Sequence, residues 1–139
     1  MKVLTLADFQ QFSSEKMKKN NLFQTPRFFC DIYCFEPGQE QKGHIHGEQD
    51  KVYIVLEGEG TFQVGSEKQV LRPGQGTMAP AGDEHGVKNH TQQRLKVLVF
   101  DPYLSAERVQ ELGAEKADFD DLLQRSDYVS VHCPLTEET

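Results

Sequence analysis

The chain has 139 residues, 37% of them hydrophobic, with nine phenylalanines and no tryptophan, which is enough apolar material for one core and not for two. Its net charge of −7 is carried from residue 101 onward, where ten acids face three bases, while residues 1–100 balance at twelve against twelve. No basic stripe is present, which argues against nucleic acid as a partner, and no apolar run approaches the ~18–20 residues needed to cross a bilayer as a helix.

The N-terminus reaches its first acid, Asp8, without a signal-peptide hydrophobic region, so a cytoplasmic location is expected. Residues 5–19, with Leu6, Phe9, Phe12 and Met17 among polar neighbours, read as a short amphipathic helix or a leading arm, with Lys16, Lys18 and Lys19 on its solvated side. From residue 27 to 100 the pattern is β. Residues 28–35 alternate until Pro37-Gly38 breaks them, and residues 52–56 form a buried strand. Residues 61–64 and 68–71 flank Gly65-Ser66 as a hairpin, Arg72-Pro73-Gly74 turns again, residues 78–79 are short, and residues 94–100 close the region. Short strands at close spacing with Gly/Pro turns suggest a sandwich or barrel.

After residue 100 the pattern changes. Residues 105–112 read as a helix with Ser105 as N-cap and Gly113 as stop, residues 119–125 as a second helix, and residues 128–131 as a short strand ended before Pro134. This is α/β alternation, unlike the preceding 70 residues. Three cysteines, Cys30, Cys34 and Cys133, lack zinc-ligand spacing and are expected to be free thiols.

The chemistry concentrates in histidines. In an extended strand residues i and i+2 point the same way, so His44 and His46 send two imidazoles to one side, and His85 comes from a distant segment. Convergent imidazoles from separate strands suit a divalent metal. The first cluster runs Gly38, five residues, His44-Ile45-His46, then on to Gly58; the second runs Gly74, five residues, Pro80-x-Gly82, two residues, His85, three residues, Asn89. These resemble the two sequence motifs of the cupin superfamily, the second at every defined position.

The resemblance implies a mainly β fold: a cupin double-stranded β-helix, or jelly-roll barrel, over residues 1–100, with a C-terminal α/β appendage over residues 101–139. It implies a divalent metal (Fe, Mn, Ni or Zn) held inside the barrel by His44, His46 and His85 with one acid. Gly58, Gly74 and Gly82 would be turn residues, Asn89 would tie a turn, and Tyr53, Phe62 and Met78 would line the barrel mouth or, as the preferred reading, fill the core. His90, adjacent to Asn89, should point to the surface. The acid slot departs from the pattern. Counting forward from His46 it falls on Asp50 or Lys51; counting back from Gly58 it falls on Lys51, which is no ligand while protonated. Asp50 brought in by a bulged loop, Gln49 or water would complete the shell, with Lys51 snorkelling or capping the mouth.

Residues 101–139 resemble the NAD-binding domain of D-isomer-specific 2-hydroxyacid dehydrogenases, of the phosphoglycerate dehydrogenase type, through Asp101-Pro102-Tyr103, the Asp-Leu-Leu-x-x-Ser-Asp stretch and the His132-Cys133-Pro134-Leu135-Thr136 loop. There the acid matching Asp101 would bind the adenosine ribose. No Gly-x-Gly-x-x-Gly precedes it, so no loop cradles a pyrophosphate, and the segment is expected to be an orphaned βα fragment joined by gene fusion or truncation.

Three readings of function result. The first is a small metalloenzyme of dioxygenase, isomerase or decarboxylase type acting on a small molecule. The second is a non-catalytic small-molecule-binding module. The third, an NAD-linked dehydrogenase fragment, is weakened by the missing phosphate loop. A homodimer is expected from the edge strands of an open jelly roll, with residues 1–35, including Phe23, Phe28 and Phe29, at the contact.

Overall fold

The computed structural model describes residues 1–47, 49–101, 110, 115, 117 and 119–128, and the chain divides into two compact units, Met1–Ser105 and Ala106–Thr139. In the first unit nine strands follow a short 3-10 turn at Leu6–Phe9. They are β1 (Lys18–Thr25), β2 (Phe28–Phe35), β3 (Glu40–Ile45), β4 (Lys51–Glu57), β5 (Gly60–Val64), β6 (Glu67–Leu71), β7 (Gly76–Ala79), β8 (Glu84–Lys88) and β9 (Leu95–Asp101). They form a five-stranded sheet in the order β1-β2-β9-β4-β7 and a four-stranded sheet in the order β3-β8-β5-β6, with antiparallel pairing throughout both sheets. Two facing antiparallel sheets with crossovers between them make the jelly roll expected from the motifs.

The core lies between the sheets. Alternation sends Tyr33 and Phe35 of β2, Tyr53 and Val55 of β4, and Leu95, Val97 and Val99 of β9 inward to meet Phe62 of β5 and Val87 of β8. Full burial of each such side chain contributes roughly 1.5–3 kcal/mol, so this layer accounts for most of the barrel's cohesion. β2 is buried on both faces over its second half, because its outer face carries a second cluster. There Leu22, Ile32 and Cys34 are covered by Leu4, Phe9 and Phe12 of the N-terminal segment. Arg94 secures that cover: its guanidinium lies 4.2 Å from the centre of the Phe12 ring and binds Glu36 at 2.8 Å.

Four expectations change. The N-terminal helix is a single 3-10 turn, and Lys18 and Lys19 belong to β1. Met78 faces outward at 52% exposure, since β7 turns Thr77 and Ala79 inward instead. Phe29, expected at a dimer contact, is an inward core residue at 3% exposure. The N-terminal segment already covers much of the β1–β2 face, so the exposed apolar area of this sheet lies at Ile54, Met78 and Phe100. Asn89 ties its turn as expected. Its buried amide donates to Phe35 O and Gln93 O, and its Oδ1 accepts from Thr91 N and Oγ1. His90 is exposed and bonds Thr61 Oγ1 at 2.9 Å.

In the second unit, α1 (Phe119–Arg125) opens with Asp120 and Asp121 and ends with Arg125, charges that complement the helix dipole. Arg125 binds Asp121 one turn back at 3.0 Å and Glu115 at 2.8 Å. The helix read over residues 105–112, the strand read over 128–131, and His132 and Cys133 lie outside the described residues, apart from Gln110 and Tyr128. Cys30 and Cys34 are free thiols, and burial pushes the Cys34 thiol up to about 11.

Candidate metal centre

His44 and His85 face one another across the β3–β8 ladder, and His46 follows β3 by one residue. Their ring centroids are 4.4 Å apart for His44–His85, 4.7 Å for His44–His46 and 5.3 Å for His46–His85. One nitrogen from each lies within 4.8 Å of the other two. His85 is fully buried, while His44 and His46 are partly exposed, so the cluster sits at the mouth of the barrel with its back wall inside.

The tautomers follow from backbone contacts. His85 Nδ1 lies 2.9 Å from Asp83 O and His44 Nδ1 lies 2.9 Å from Lys42 O. A carbonyl only accepts, so each Nδ1 carries a proton and donates, and in the neutral ring the lone pair falls on Nε2. His85 Nε2 is buried and has no hydrogen-bond partner among the described residues. A buried acceptor without a partner costs ~1–3 kcal/mol, and a metal ion at that point would relieve it. Burial is the main cause that holds His85 down to about 4, opposed by its bond to Asp83 O and assisted by the charges of His44 and Lys51. The imidazole is therefore neutral at pH 7, the state a metal requires.

The turn carrying the second motif is fixed to the first. Gly82 N donates to His46 O at 2.8 Å, and Ala81 N donates to Asp50 Oδ1 at 2.9 Å. Gly82 has φ +85°, a conformation open to glycine and strained for residues with a Cβ. Asp50 is exposed and caps this turn, and among the described residues the cluster of candidate ligands consists of the three histidines without it. Lys51 is 3% exposed as the first residue of β4, with Nζ 5.9 Å from the Tyr33 ring centre. It is a buried residue and does not snorkel, because β4 points it between the sheets opposite Ala79. Gln49 is buried at 4% exposure.

Asp101 ends β9 inside the barrel at 0% exposure, opposite Phe29. The ribose role that its sequence context suggests needs a carboxylate open to a ligand, and this one is enclosed. Tyr53 is next to the histidines, its ring centroid 6.2 Å from that of His85, and it donates to Gln41 Oε1 at 3.2 Å. Burial, reinforced by the charge of Asp101, raises its phenol far above the ordinary range. Sequence reading missed Asp83 and Lys42, whose contribution is a backbone oxygen and leaves no residue-type signal.

Comparison with known proteins agrees with this architecture. The cupin domain model matches residues 31–101. The TT1209 protein of Thermus thermophilus is 41% identical at a TM-score of 0.72, covering 74% of this chain and 98% of that one. An RmlC-like cupin protein of Desulfovibrio desulfuricans is 31% identical at a TM-score of 0.63, covering 75% and 99%. Residues 85–139 match the model of the NAD-binding domain of D-isomer-specific 2-hydroxyacid dehydrogenases. Over 43 residues the chain is 51% identical to D-3-phosphoglycerate dehydrogenase of Mycobacterium leprae, and over 44 residues 50% identical to D-lactate dehydrogenase of Escherichia coli. It spans 8% and 13% of the length of those two enzymes.

Proposed function

Because the chain belongs to the cupin family, we propose that it is a metal-binding cupin that takes a small molecule at a divalent ion held by His44, His46 and His85. The observation that carries this reading is the buried His85 Nε2, which has no hydrogen-bond partner among the described residues and whose lone pair is fixed by the bond from Nδ1 to Asp83 O. Three imidazoles, each a ligand in its neutral form, fit Fe, Mn, Ni or Zn and leave coordination positions open. A bound ion supplies Lewis acidity and a site for an anionic or carbonyl oxygen. The chain's own residues orient the imidazoles through Asp83 O and Lys42 O, keep His85 neutral by burial, and close the back of the site with Tyr53 and Gln41.

The test is elemental analysis of the purified protein, then Co²⁺ titration of metal-free protein against a His46→Ala variant. One bound ion, lost in the variant, supports the reading; no uptake by the native protein ends it. Oxygen consumption and product formation with small-molecule panels then separate catalysis from binding. A non-catalytic binding module is the second reading, and Tyr53 favours it. The phenol beside His85 is held protonated and tied to Gln41, so it offers no proton exchange near neutrality. In either reading the protein is cytoplasmic and homodimeric, and residues 101–139 are a dehydrogenase-like fragment without hydride-transfer activity.

A further inference from the structure

The register between β3 and β8 contains one extra residue. Gln41 opposes Val87 and His44 opposes His85, so three steps along β3 match two along β8, and Lys42 with Gly43 stands against Gly86 alone. This is a β-bulge. It decides which way the histidines point. Gln41 faces inward, where it accepts from Tyr53, and Val87 and His85 face inward on β8. Residues three apart on a regular strand lie on opposite faces, so without the extra residue His44, and His46 with it, would turn to the outer surface. After the bulge the alternation resumes with Ile45 outward at 62% exposure between the two histidines.

The bulge needs room on β8. A Cβ built on Gly86 would lie 2.9 Å from Gln41 O, 3.0 Å from Gly43 N and 3.2 Å from Gly43 Cα, all of them backbone atoms of the bulge itself. A Cβ on Gly43 would meet the end of the flexible Glu84 side chain, which can move. We propose that Gly86 is a positioning residue for the metal centre: its missing side chain lets the β3 backbone bulge, and the bulge turns His44 and His46 to face His85. The proposal rests on the reading that these three histidines hold a metal, and it extends that reading to Gly86, one of the three residues between His85 and Asn89 that the second motif leaves undefined.

The test uses Gly86→Ala, with Gly76→Ala as the control. A Cβ at Gly76 meets backbone more closely still, 2.7 Å from Tyr53 O, but in the other sheet. Two readouts are taken on folded protein: Co²⁺ affinity with its visible spectrum, and carbethoxylation of His44 in metal-free protein, mapped by mass spectrometry against exposed His90. Gly86→Ala is expected to weaken Co²⁺ binding at least tenfold, alter the visible band, and raise His44 labelling severalfold. Gly76→Ala is expected to keep affinity within threefold and leave the band and the labelling unchanged. An unchanged affinity and spectrum in Gly86→Ala, or an equal loss in both variants, overturns the proposal. If Gly86→Ala does not fold, deletion of exposed Lys42 removes the extra residue directly, and unchanged His44 labelling there overturns it. If the native protein takes up no Co²⁺, the metal reading falls, while His44 labelling still decides whether Gly86 sets the histidine's direction.

Discussion

Replacing His85 with leucine separates the stability of the barrel from its chemistry. The native imidazole is 0% exposed, makes one bond to Asp83 O, and leaves Nε2 without a partner among the described residues. In metal-free protein the substitution removes the unpartnered acceptor, a gain of ~1–3 kcal/mol, and loses one hydrogen bond worth ~0.5–1.5 kcal/mol. Leucine also adds apolar contact beside the Tyr53 ring. The metal-free variant should therefore range from nearly as stable as the native protein, within about 0.5 kcal/mol, to more stable by up to about 2.5 kcal/mol. For a domain of this size ~1 kcal/mol moves the melting temperature by roughly 4–8 °C. Adding Zn²⁺ at a hundredfold excess over its dissociation constant should stabilise the native protein by ~2.7 kcal/mol and leave the variant unmoved, reversing their order. Thermal melts with chelator and with Zn²⁺ provide the assay. A metal-free variant less stable than native by more than ~1 kcal/mol would mean that Nε2 already has a partner, and equal stabilisation of both proteins by Zn²⁺ would remove His85 from the site.

Four further outcomes are expected. The folded His85 stays neutral down to about 4, below its unfolded value of roughly 6.5, so the unfolded chain binds the proton first. Metal-free stability from this group is complete above pH 6.5 and is lost as pH falls toward 4, and urea midpoints should show a steeper fall for the native protein than for His85→Leu, with parallel curves refuting it. Asp50→Ala should cost about 1 kcal/mol through the freed Ala81 N–H yet keep metal affinity, whereas a tenfold loss would place Asp50 on the ion. Calorimetry with NAD should show no binding, because Asp101 is enclosed and no pyrophosphate loop precedes it; micromolar affinity lost in Asp101→Ala would revive the dehydrogenase reading. Light scattering at micromolar concentration should give a dimer that Phe100→Glu converts to monomer, since Phe100 and Met78 are 40% and 52% exposed on the sheet's outer face; a native monomer refutes it.

The strands that sequence reading located well are those whose neighbours it did not need to know. Phe28–Phe35 is apolar but for Asp31, Gly65-Ser66 marks the β5–β6 hairpin, and β9 carries an apolar run over residues 97–100. β1 was hidden because Lys18, Lys19, Asn20 and Asn21 look solvated, although Asn20 is buried and bonds Gln11 O and Ile32 O. The three histidines were legible from their spacing, but their direction was not. Simple alternation along β3 says only that His44 and His46 share a face; which face depends on a bulge against β8, a property of two strands together. Asp50 and Lys51 were ambiguous for the same reason, since one residue of register moves a side chain from rim to interior.

β9 lies between β2 and β4, with a ladder on each side. The two family matches overlap on residues 85–101, so the sequence of this strand fits both family models. It has room for only one in space, because a strand bonded along both edges cannot join a second sheet. Order of synthesis favours the barrel: β2 and β4 precede β9 in the chain and are waiting when it emerges. The likeness to a dehydrogenase domain thus falls partly on residues whose hydrogen bonds are already committed to the barrel. Swapping the segment for its dehydrogenase counterpart would test how much of a strand's identity is apolar pattern and how much is the neighbours that reach it first.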